Sequence, residues 1–272
     1  MYQNIPFRHN PTLLIILIDR SIFTSRPIGN SSIAEKITND LNILLSELVL
    51  YRGTCIYPSI GIEIIGYGEK TNDCSILLSC NISELPNKIL FVQHKKTRIP
   101  DGGNGYIDID YDFPNYIVPK SVWIPNEDKA FSIAKDLVEK YSALRKNEDD
   151  CVPMVINFTT GNCPRESQKM LINISQDIRS IKMYDGAPLI INLPYLNELS
   201  CINNDKYNYL IKSSSIDTIK ELLSNNRFTY VWNNINQNSQ NPLYISNIKE
   251  LISFVKEFYN YFDGDYVPHN SF

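Results

Sequence analysis

Two apolar runs of strand length end in polar residues, and these two junctions constrain the fold more than any other feature of the chain. Residues 11–18 lead into Asp19-Arg20-Ser21, and residues 152–158 lead into Thr159-Thr160-Gly161. A continuous apolar run is typical of a strand whose two faces are both covered by helices, so residues 13–18 predict a central strand. Ligands of open α/β sheets gather at the carboxyl ends of parallel strands. The two junctions therefore predict a site at that edge.

Segments with helical periodicity alternate with the strand-like runs. Apolar residues recur every three or four positions in residues 31–52, 126–144 and 165–181, which predicts a helix in each. Ser31 or Ser32 is the expected N-cap of the first helix, and Glu35 completes a capping box. The first helix is expected to stop before Gly53, and the third is expected to bury Met170.

Three further strand-like runs complete the pattern. They occupy residues 59–67, 75–80 and 187–193. A polar turn at residues 68–72 indicates that the first two of these strands pair in antiparallel fashion. The chain therefore has the sequence pattern of an α/β protein, in which a three-layer, doubly wound, mostly parallel sheet carries one antiparallel edge strand and an insertion.

Length and the absence of a linker favour one domain over residues 1–272. Prolines and the glycine-rich residues 102–105 interrupt the alternation at about residues 86–123, which predicts an insertion with short strands. The part of the fold after residue 194 is a C-terminal extension that runs to residue 272. We expect it to hold a helix at residues 216–223, a strand at 228–233, a polar loop at 233–241 and a closing helix at 245–262.

The insertion contains two charged stretches. Residues 95–98 form a short basic cluster, for which we expect a solvated loop rather than a phosphate site. Asp108, Asp110 and Asp112 begin like a calcium loop, but Phe113 stands where such a loop needs glycine. Their period of two predicts an exposed strand with acidic residues on one face.

Composition and charge restrict the classes of partner that this protein is expected to bind. A formal net charge of -4 and a pI near 5.5 leave no broad basic surface for phosphates, so we expect no nucleic-acid partner. The N-terminus lacks the pattern of a secretory signal, and the longest apolar run is too short to cross a bilayer. We therefore expect a cytoplasmic protein with no membrane partner. The six cysteines form no CxxC pair, which favours reduced, mostly buried thiols over a zinc site.

Five short segments, in the right order between residues 12 and 254, give the chain a specific resemblance. They are Gly66-Tyr67-Gly68, residues 82–85, residues 153–159, residues 185–192 and Ser213-Ser214-Ser215. Together with the two junctions, these segments resemble a bacterial, cytoplasmic subfamily of von Willebrand factor A (vWA) domains, whose fold is Rossmann-like. The resemblance implies a role in multi-protein signalling or conflict and defence systems, where members of this type occur beside kinases, phosphatases or ATPases.

The resemblance also implies where an ion would bind, since the family holds a magnesium-type ion in a metal-ion-dependent adhesion site. Its motif places Asp19 and Ser21 on the first two ligand positions, Phe23 on the third and Thr160 on the position of an aspartate. The ligand count is then too low for the oxygen octahedron of Mg²⁺, so we predict a degenerate site without metal or other cofactor. If an ion is retained, Asp19 and Ser21 are its expected ligands.

We therefore predict a non-enzymatic scaffold or adaptor that binds another protein through the carboxyl edge of the sheet and the insertion. The residues expected at this edge are Asp19, Ser21, Phe23, Ser25, Asn126, Glu127 and Thr160. The ring of Phe23 either anchors the partner or packs inward. One alternative is a Mg²⁺-dependent binder that restores the ligand set with Ser25, Thr24, Thr160 or Glu127.

A second alternative is a thiol-dependent enzyme that uses Cys163. This cysteine follows the Thr159-Thr160-Gly161 junction, and the N-terminus of the next helix would lower the pKa of its thiol. No histidine lies nearby in sequence to act as its base, so the catalytic reading is the weaker one.

Overall fold

The computed structural model describes residues 12–54, 60–70, 73–103, 105–144, 151–183, 186–195, 207–217 and 247–263. The predicted strand at residues 228–233, the polar loop at 233–241 and most of the predicted helix at 216–223 lie outside the described residues.

Nine strands and five helices lie in the described part of the chain. The strands are β1 (Thr12–Asp19), β2 (Pro27–Ile28), β3 (Ser31–Ser32), β4 (Ile60–Lys70), β5 (Asp73–Asn81), β6 (Phe91–Pro100), β7 (Tyr106–Asn115), β8 (Met154–Thr159) and β9 (Leu189–Pro194). The helices are α1 (Ile33–Thr54), α2 (Glu127–Leu144), α3 (Arg165–Ser180), α4 (Asn208–Lys212) and α5 (Ile248–Asp263). Two 3₁₀ turns cover Ile22–Ser25 and Leu85–Lys88.

Five of the strands form the main sheet, in the order β5-β4-β1-β8-β9. All neighbours are parallel except β5, which pairs with β4 in antiparallel fashion. The prediction of a mostly parallel sheet with one antiparallel edge strand and β1 at its centre is therefore confirmed. Counted among these five strands alone, the order is third, second, first, fourth, fifth, so the direction of winding reverses between β1 and β8.

The sheet has helices on both faces because β1 is apolar on both of its faces. Leu14, Ile16 and Ile18 face a core shared with α1 and α5. Ile15 and Leu17 face a second core shared with α2, α3 and α4. Since successive side chains of a strand point to opposite faces, one uninterrupted apolar run serves both cores. This gives the three layers that the sequence predicts.

Local signals fix the start of α1 better than its end. The backbone N–H of Ser32 donates to Glu35, and the Glu35 N–H donates to Ser32 Oγ at 3.2 Å, so the predicted capping box forms. The prediction that the helix stops before Gly53 is wrong, because α1 continues to Thr54. The side chain of Met170, predicted to be buried by α3, is also largely exposed, and Leu171 takes the buried position.

The insertion folds as a separate two-stranded hairpin of β6 and β7. Its ten residue pairs run from Phe91 opposite Asn115 to Pro100 opposite Tyr106. The acidic stretch does lie on an exposed strand, as predicted. The basic residues 95–98 lie on β6 and not in a loop, because they pair with the acidic strand β7.

The loops at the carboxyl edge fit together closely at Gly68. Gly68 has a φ of +80°, and a Cβ built on it would lie 2.8 Å from backbone atoms of Ser21. Gly29 has a similar φ of +60° but has no atom within 4 Å of such a Cβ. Alanine substitutions at the two glycines can therefore be compared to separate the free-energy cost of backbone strain from that of a steric clash.

We expect Gly68→Ala to destabilise the protein clearly more than Gly29→Ala. Both substitutions carry a backbone cost of about 1–2 kcal/mol in the left-handed region. Gly68→Ala adds a steric cost of about 1–3 kcal/mol, because the new methyl group meets backbone that cannot rotate away. Urea unfolding of the two variants measures the difference. Equal free energies of unfolding would show that the loops separate easily at Gly68.

Candidate functional site

Asp19 lies at the reversal of the sheet with its carboxylate fully enclosed by hydrogen bonds. One oxygen accepts the N–H of Ser21 at 2.8 Å. The other accepts both the N–H of Thr160 at 3.2 Å and its hydroxyl at 2.5 Å. Burial raises the pKa of Asp19, and the hydrogen bonds from Ser21 and Thr160 oppose that rise. Thr160, which the resemblance places where vWA domains carry an acid, thus donates two hydrogen bonds to Asp19.

The other predicted site residues in the loop after β1 differ from one another in burial and in hydrogen bonding. Ser21 is buried, and its Oγ makes no hydrogen bond with any described residue. Phe23 is half-buried, and the guanidinium of Arg26 lies 5.5 Å from its ring centroid. Ser25 is exposed, and its hydroxyl donates to the carbonyl of Ile22. Phe23 therefore neither packs fully inward nor stands free.

Glu127, the first residue of α2, is buried beneath the same edge. Its carboxylate accepts a hydrogen bond from Asn157 Nδ2 at 2.6 Å and one from the Tyr209 hydroxyl at 3.3 Å. Burial raises the pKa of Glu127 to about 7, and the charge of Asp19 contributes in the same direction. The second carboxylate near the site therefore faces the interior of the protein.

Asn157 and Asn192 continue this buried polar network across the sheet. They are opposite each other on β8 and β9, and Asn157 Nδ2 donates to Asn192 Oδ1 at 2.8 Å. The hydroxyl of Tyr67 donates to Asn157 Oδ1, while Asn192 donates to residues of the Ser213–Ser215 segment. The sequence analysis missed this network, although an asparagine inside each of two apolar strands is a signal that could have found it.

Asn126 holds the loops around the edge in place. Its side-chain oxygen accepts the N–H of Gly68 at 2.6 Å, and its amide nitrogen donates to the carbonyl of Asp73 at 2.9 Å. The end of the insertion docks on the same loops, since the N–H of Trp123 donates to the Gly68 carbonyl and the N–H of Ile22 donates to the Trp123 carbonyl. The structure thus brings the insertion to the edge of the sheet.

These contacts create an exposed apolar surface at the edge, which we call the edge patch. Its members are Ile22, Val122, Trp123 and Ile124, with exposed fractions of 54%, 41%, 46% and 57%. Four of the seven predicted site residues, by contrast, are buried below it: Asp19, Ser21, Glu127 and Thr160. The predicted edge therefore presents a group of exposed apolar side chains above four buried polar residues.

Cys163 lies close to the edge but in an apolar setting. Burial raises the pKa of its thiol well above the usual value, and the charges of Glu127 and Asp128 act in the same direction. The prediction that the N-terminus of α3 lowers this pKa is therefore wrong. Cys74, Cys80 and Cys151 are the other cysteines in the described part, and none of the four forms a disulfide.

The oxygen atoms at the edge can be compared with the ligands that a Mg²⁺ ion requires. Ser21 Oγ is unused, but both Asp19 oxygens and the Thr160 hydroxyl already bond to each other or to the backbone. An ion seated on Asp19 would have to displace these bonds and reach an octahedron with a single carboxylate. Within the described residues, no group of three or more His, Cys, Asp or Glu side chains could hold a metal.

No protein-family model matches the chain, and no curated protein is similar enough to be matched to it. The resemblance to vWA domains therefore remains a prediction from the sequence. Among the described residues, no helix is both long and apolar enough to cross a membrane.

We expect the stability of the protein to fall as pH rises from about 5 to 8, in part because of Glu127. Its pKa in the folded state, about 7, lies above its ordinary value of 4.5. The stability that it contributes is complete below the unfolded pKa and is lost as pH rises through the folded one. A shift of this size corresponds to about 3 kcal/mol. Glu127→Gln should remove this part of the decline, as measured by urea unfolding at several pH values.

Glu166→Gln is a matched control, because Glu166 is also in the first turn of a helix but is exposed. This control should keep the pH dependence of the wild type. An unchanged slope in Glu127→Gln would mean that Glu127 ionises normally in the folded protein.

Proposed function

We propose that this protein is a vWA-like, non-enzymatic scaffold or adaptor that binds another protein at the carboxyl edge of its sheet. The strand order, the reversal between β1 and β8 and the arrival of Asp19 and Thr160 at that reversal support the vWA relation. The bacterial signalling or defence setting and the cytoplasmic location remain part of this proposal and rest on the resemblance alone.

The edge patch is the observation that carries the proposal. Ile22, Trp123 and Ile124 are large apolar side chains, each about half exposed, at the edge where ligands of such sheets bind. Large apolar side chains that cluster at a loop surface are typical anchors of protein interfaces. Trp123 belongs to the insertion. The edge patch therefore combines the two surfaces that the sequence predicts for partner binding, the carboxyl edge of the sheet and the insertion.

The buried carboxylates of Asp19 and Glu127, with their hydrogen-bond partners, form a polar centre beneath the patch. This polar centre has a supporting role in the proposal. Asp19 joins the loops after β1 and β8, and Glu127 joins α2 to β8 and α4. A buried polar group whose hydrogen bonds are all made holds its neighbours in one arrangement. The centre thus fixes the loops that present the patch, and it offers a partner no accessible carboxylate.

We expect partner binding to depend on the edge patch. Ile22→Asp and Ile124→Asp place a charge on side chains that are 54% and 57% exposed, so folding should be retained while an apolar contact is lost. Proteins that co-purify with the tagged chain from the cells that express it are identified by mass spectrometry. Those recovered with the wild type should be reduced at least about tenfold with each variant, the equivalent of 1.4 kcal/mol.

Leu50→Asp is the matched control, because Leu50 is 66% exposed on α1 and lies outside the edge patch. It should leave the recovered proteins unchanged, and circular dichroism should show that all three variants are folded. A partner that binds Ile22→Asp and Ile124→Asp as well as it binds the wild type would contradict the proposal.

The Mg²⁺-dependent alternative is favoured by one observation, the unused Oγ of Ser21. We expect Mg²⁺ to leave the melting temperature unchanged, because Asp19 is already bonded to Ser21 and Thr160. A ligand that binds only the folded state would raise it. Ser21→Ala separates the two possibilities, since it removes the hydroxyl that an ion would need and keeps the hydrogen bonds from Thr160 to Asp19. A Mg²⁺-induced rise in the wild type that this variant abolishes would establish the alternative.

A further inference from the structure

The segment that joins the hairpin to α2 crosses the carboxyl edge of the sheet. The N–H of Val122 donates to the carbonyl of Arg20 at 3.0 Å, in the loop after β1. The N–H of Trp123 donates to the carbonyl of Gly68 at 2.9 Å, near the end of β4. We call residues 118–124 the strap, because backbone hydrogen bonds tie them to both of these neighbouring elements.

The chain is held firmly on both sides of the strap. Before it, the side-chain oxygen of Asn42 on α1 accepts the N–H of Tyr116 at 2.9 Å and the N–H of Ile117 at 3.2 Å. Both Tyr116 and Ile117 are buried. After it, Asn126 is bonded to the end of β4, and Glu127 is buried. The strap is therefore a short span between two fixed points.

The strap itself buries little apolar surface. Its large apolar side chains are Val118, Val122, Trp123 and Ile124, and each is between 41% and 57% exposed. Residues 14–17 of β1, by contrast, are completely buried. A segment with few buried apolar contacts opens at a lower free energy than the core of its protein. The strap is therefore held mainly by polar contacts.

Three charged side chains fasten the strap to the sheet. The carboxylate of Glu69, on β4, pairs with the guanidinium of Arg20 and with the amine of Lys120, the latter at 3.1 Å. The guanidinium of Arg20 also donates to the carbonyl of Val118 at 3.3 Å. Since Val118 and Lys120 belong to the strap, these contacts hold it closed. We call Arg20, Glu69 and Lys120 the latch.

The latch leaves one of its own groups incompletely bonded. Arg20 is buried, and its Nε has no hydrogen-bond partner among the described residues. A buried charged group with an unmade hydrogen bond raises the free energy of the state that contains it. Opening the strap removes Val118 from the guanidinium and brings Arg20 to water. The closed strap is therefore held less tightly than its hydrogen bonds alone indicate.

We propose that the strap opens as a unit while the sheet stays folded, and that the latch sets how often it opens. Opening separates the three strap members of the edge patch from Ile22 and so takes the patch apart. A partner that binds the complete patch then holds the strap closed, and a change that opens the strap releases the partner. This consequence for the partner rests on the proposed function, whereas the opening itself does not.

Native-state hydrogen exchange of the full chain, followed by NMR at low urea concentrations, tests the opening without any partner. The reporters are the amides of Ile22, Val122 and Trp123, which are all hydrogen-bonded between the strap and its neighbours. They should share one opening free energy and be at least about a hundredfold less protected than the amides of residues 14–17 in β1. Reporters that open only together with β1 would overturn the inference.

Lys120→Met tests the latch, because it removes one cation from a side chain that is 44% exposed and should keep the fold. The three reporter amides should exchange at least about fivefold faster, since a charge-assisted hydrogen bond to Glu69 is lost, and β1 should be unchanged. Lys135→Met is the matched control, since Lys135 is 30% exposed and pairs with Asp177 on α3. Reporter rates that stay at the wild-type value in Lys120→Met would refute the role of the latch.

Glu69→Gln tests the link to the partner, because it weakens both ion pairs of the latch and leaves every side chain of the edge patch in place. Recovery of co-purified proteins should fall at least about fivefold. Glu63→Gln, on the same strand, should not change it, because Glu63 accepts a hydrogen bond from Ser79 instead of binding a cation. If Glu69→Gln does not fold, Lys120→Met takes its place and recovery should fall in the same direction. Recovery lost in Ile22→Asp but kept when the latch is weakened would overturn control by the strap, whereas recovery kept in both would contradict the proposed function and leave the opening intact.

Discussion

The buried carboxylate of Asp19 is the constraint on which the carboxyl edge depends. It lies where the winding of the sheet reverses, and burial of an unpaired charge is costly. In the vWA pattern a cation relieves that cost. Here the amides of Ser21 and Thr160 and the Thr160 hydroxyl surround the carboxylate instead. Thr160, at the position that holds an acid in the vWA pattern, supplies two of these three hydrogen bonds.

The carboxylates of Asp19 and Glu127 are buried and hydrogen-bonded inside the protein, so a partner at the edge would contact other side chains. The edge patch is exposed at the same edge, together with Ser25. The patch exists because Trp123, from the insertion, forms backbone hydrogen bonds with Gly68 and Ile22. The end of the insertion thus completes the partner surface in our proposal.

The buried network also explains why two asparagines interrupt otherwise apolar strands. Asn157 forms hydrogen bonds with Tyr67, Glu127 and Asn192. Each polar group has its partner, so the network orders the elements it joins instead of weakening the core. Its one titratable member with a pKa near neutrality, Glu127, makes this order sensitive to pH.

The sequence by itself determined the elements whose signals are local. The apolar run of β1 predicted a central strand, Ser32 and Glu35 predicted the start of α1, and the period of two in residues 108–112 predicted an exposed strand. The strand state of residues 95–98 escaped it, because it depends on pairing with β7, whose partner residues lie 10 to 16 positions away. Only the tertiary structure decided the site itself. That Asp19 meets Thr160 and that Trp123 lies beside Ile22 depends on contacts that span about 100 residues or more, and no local pattern encodes such contacts.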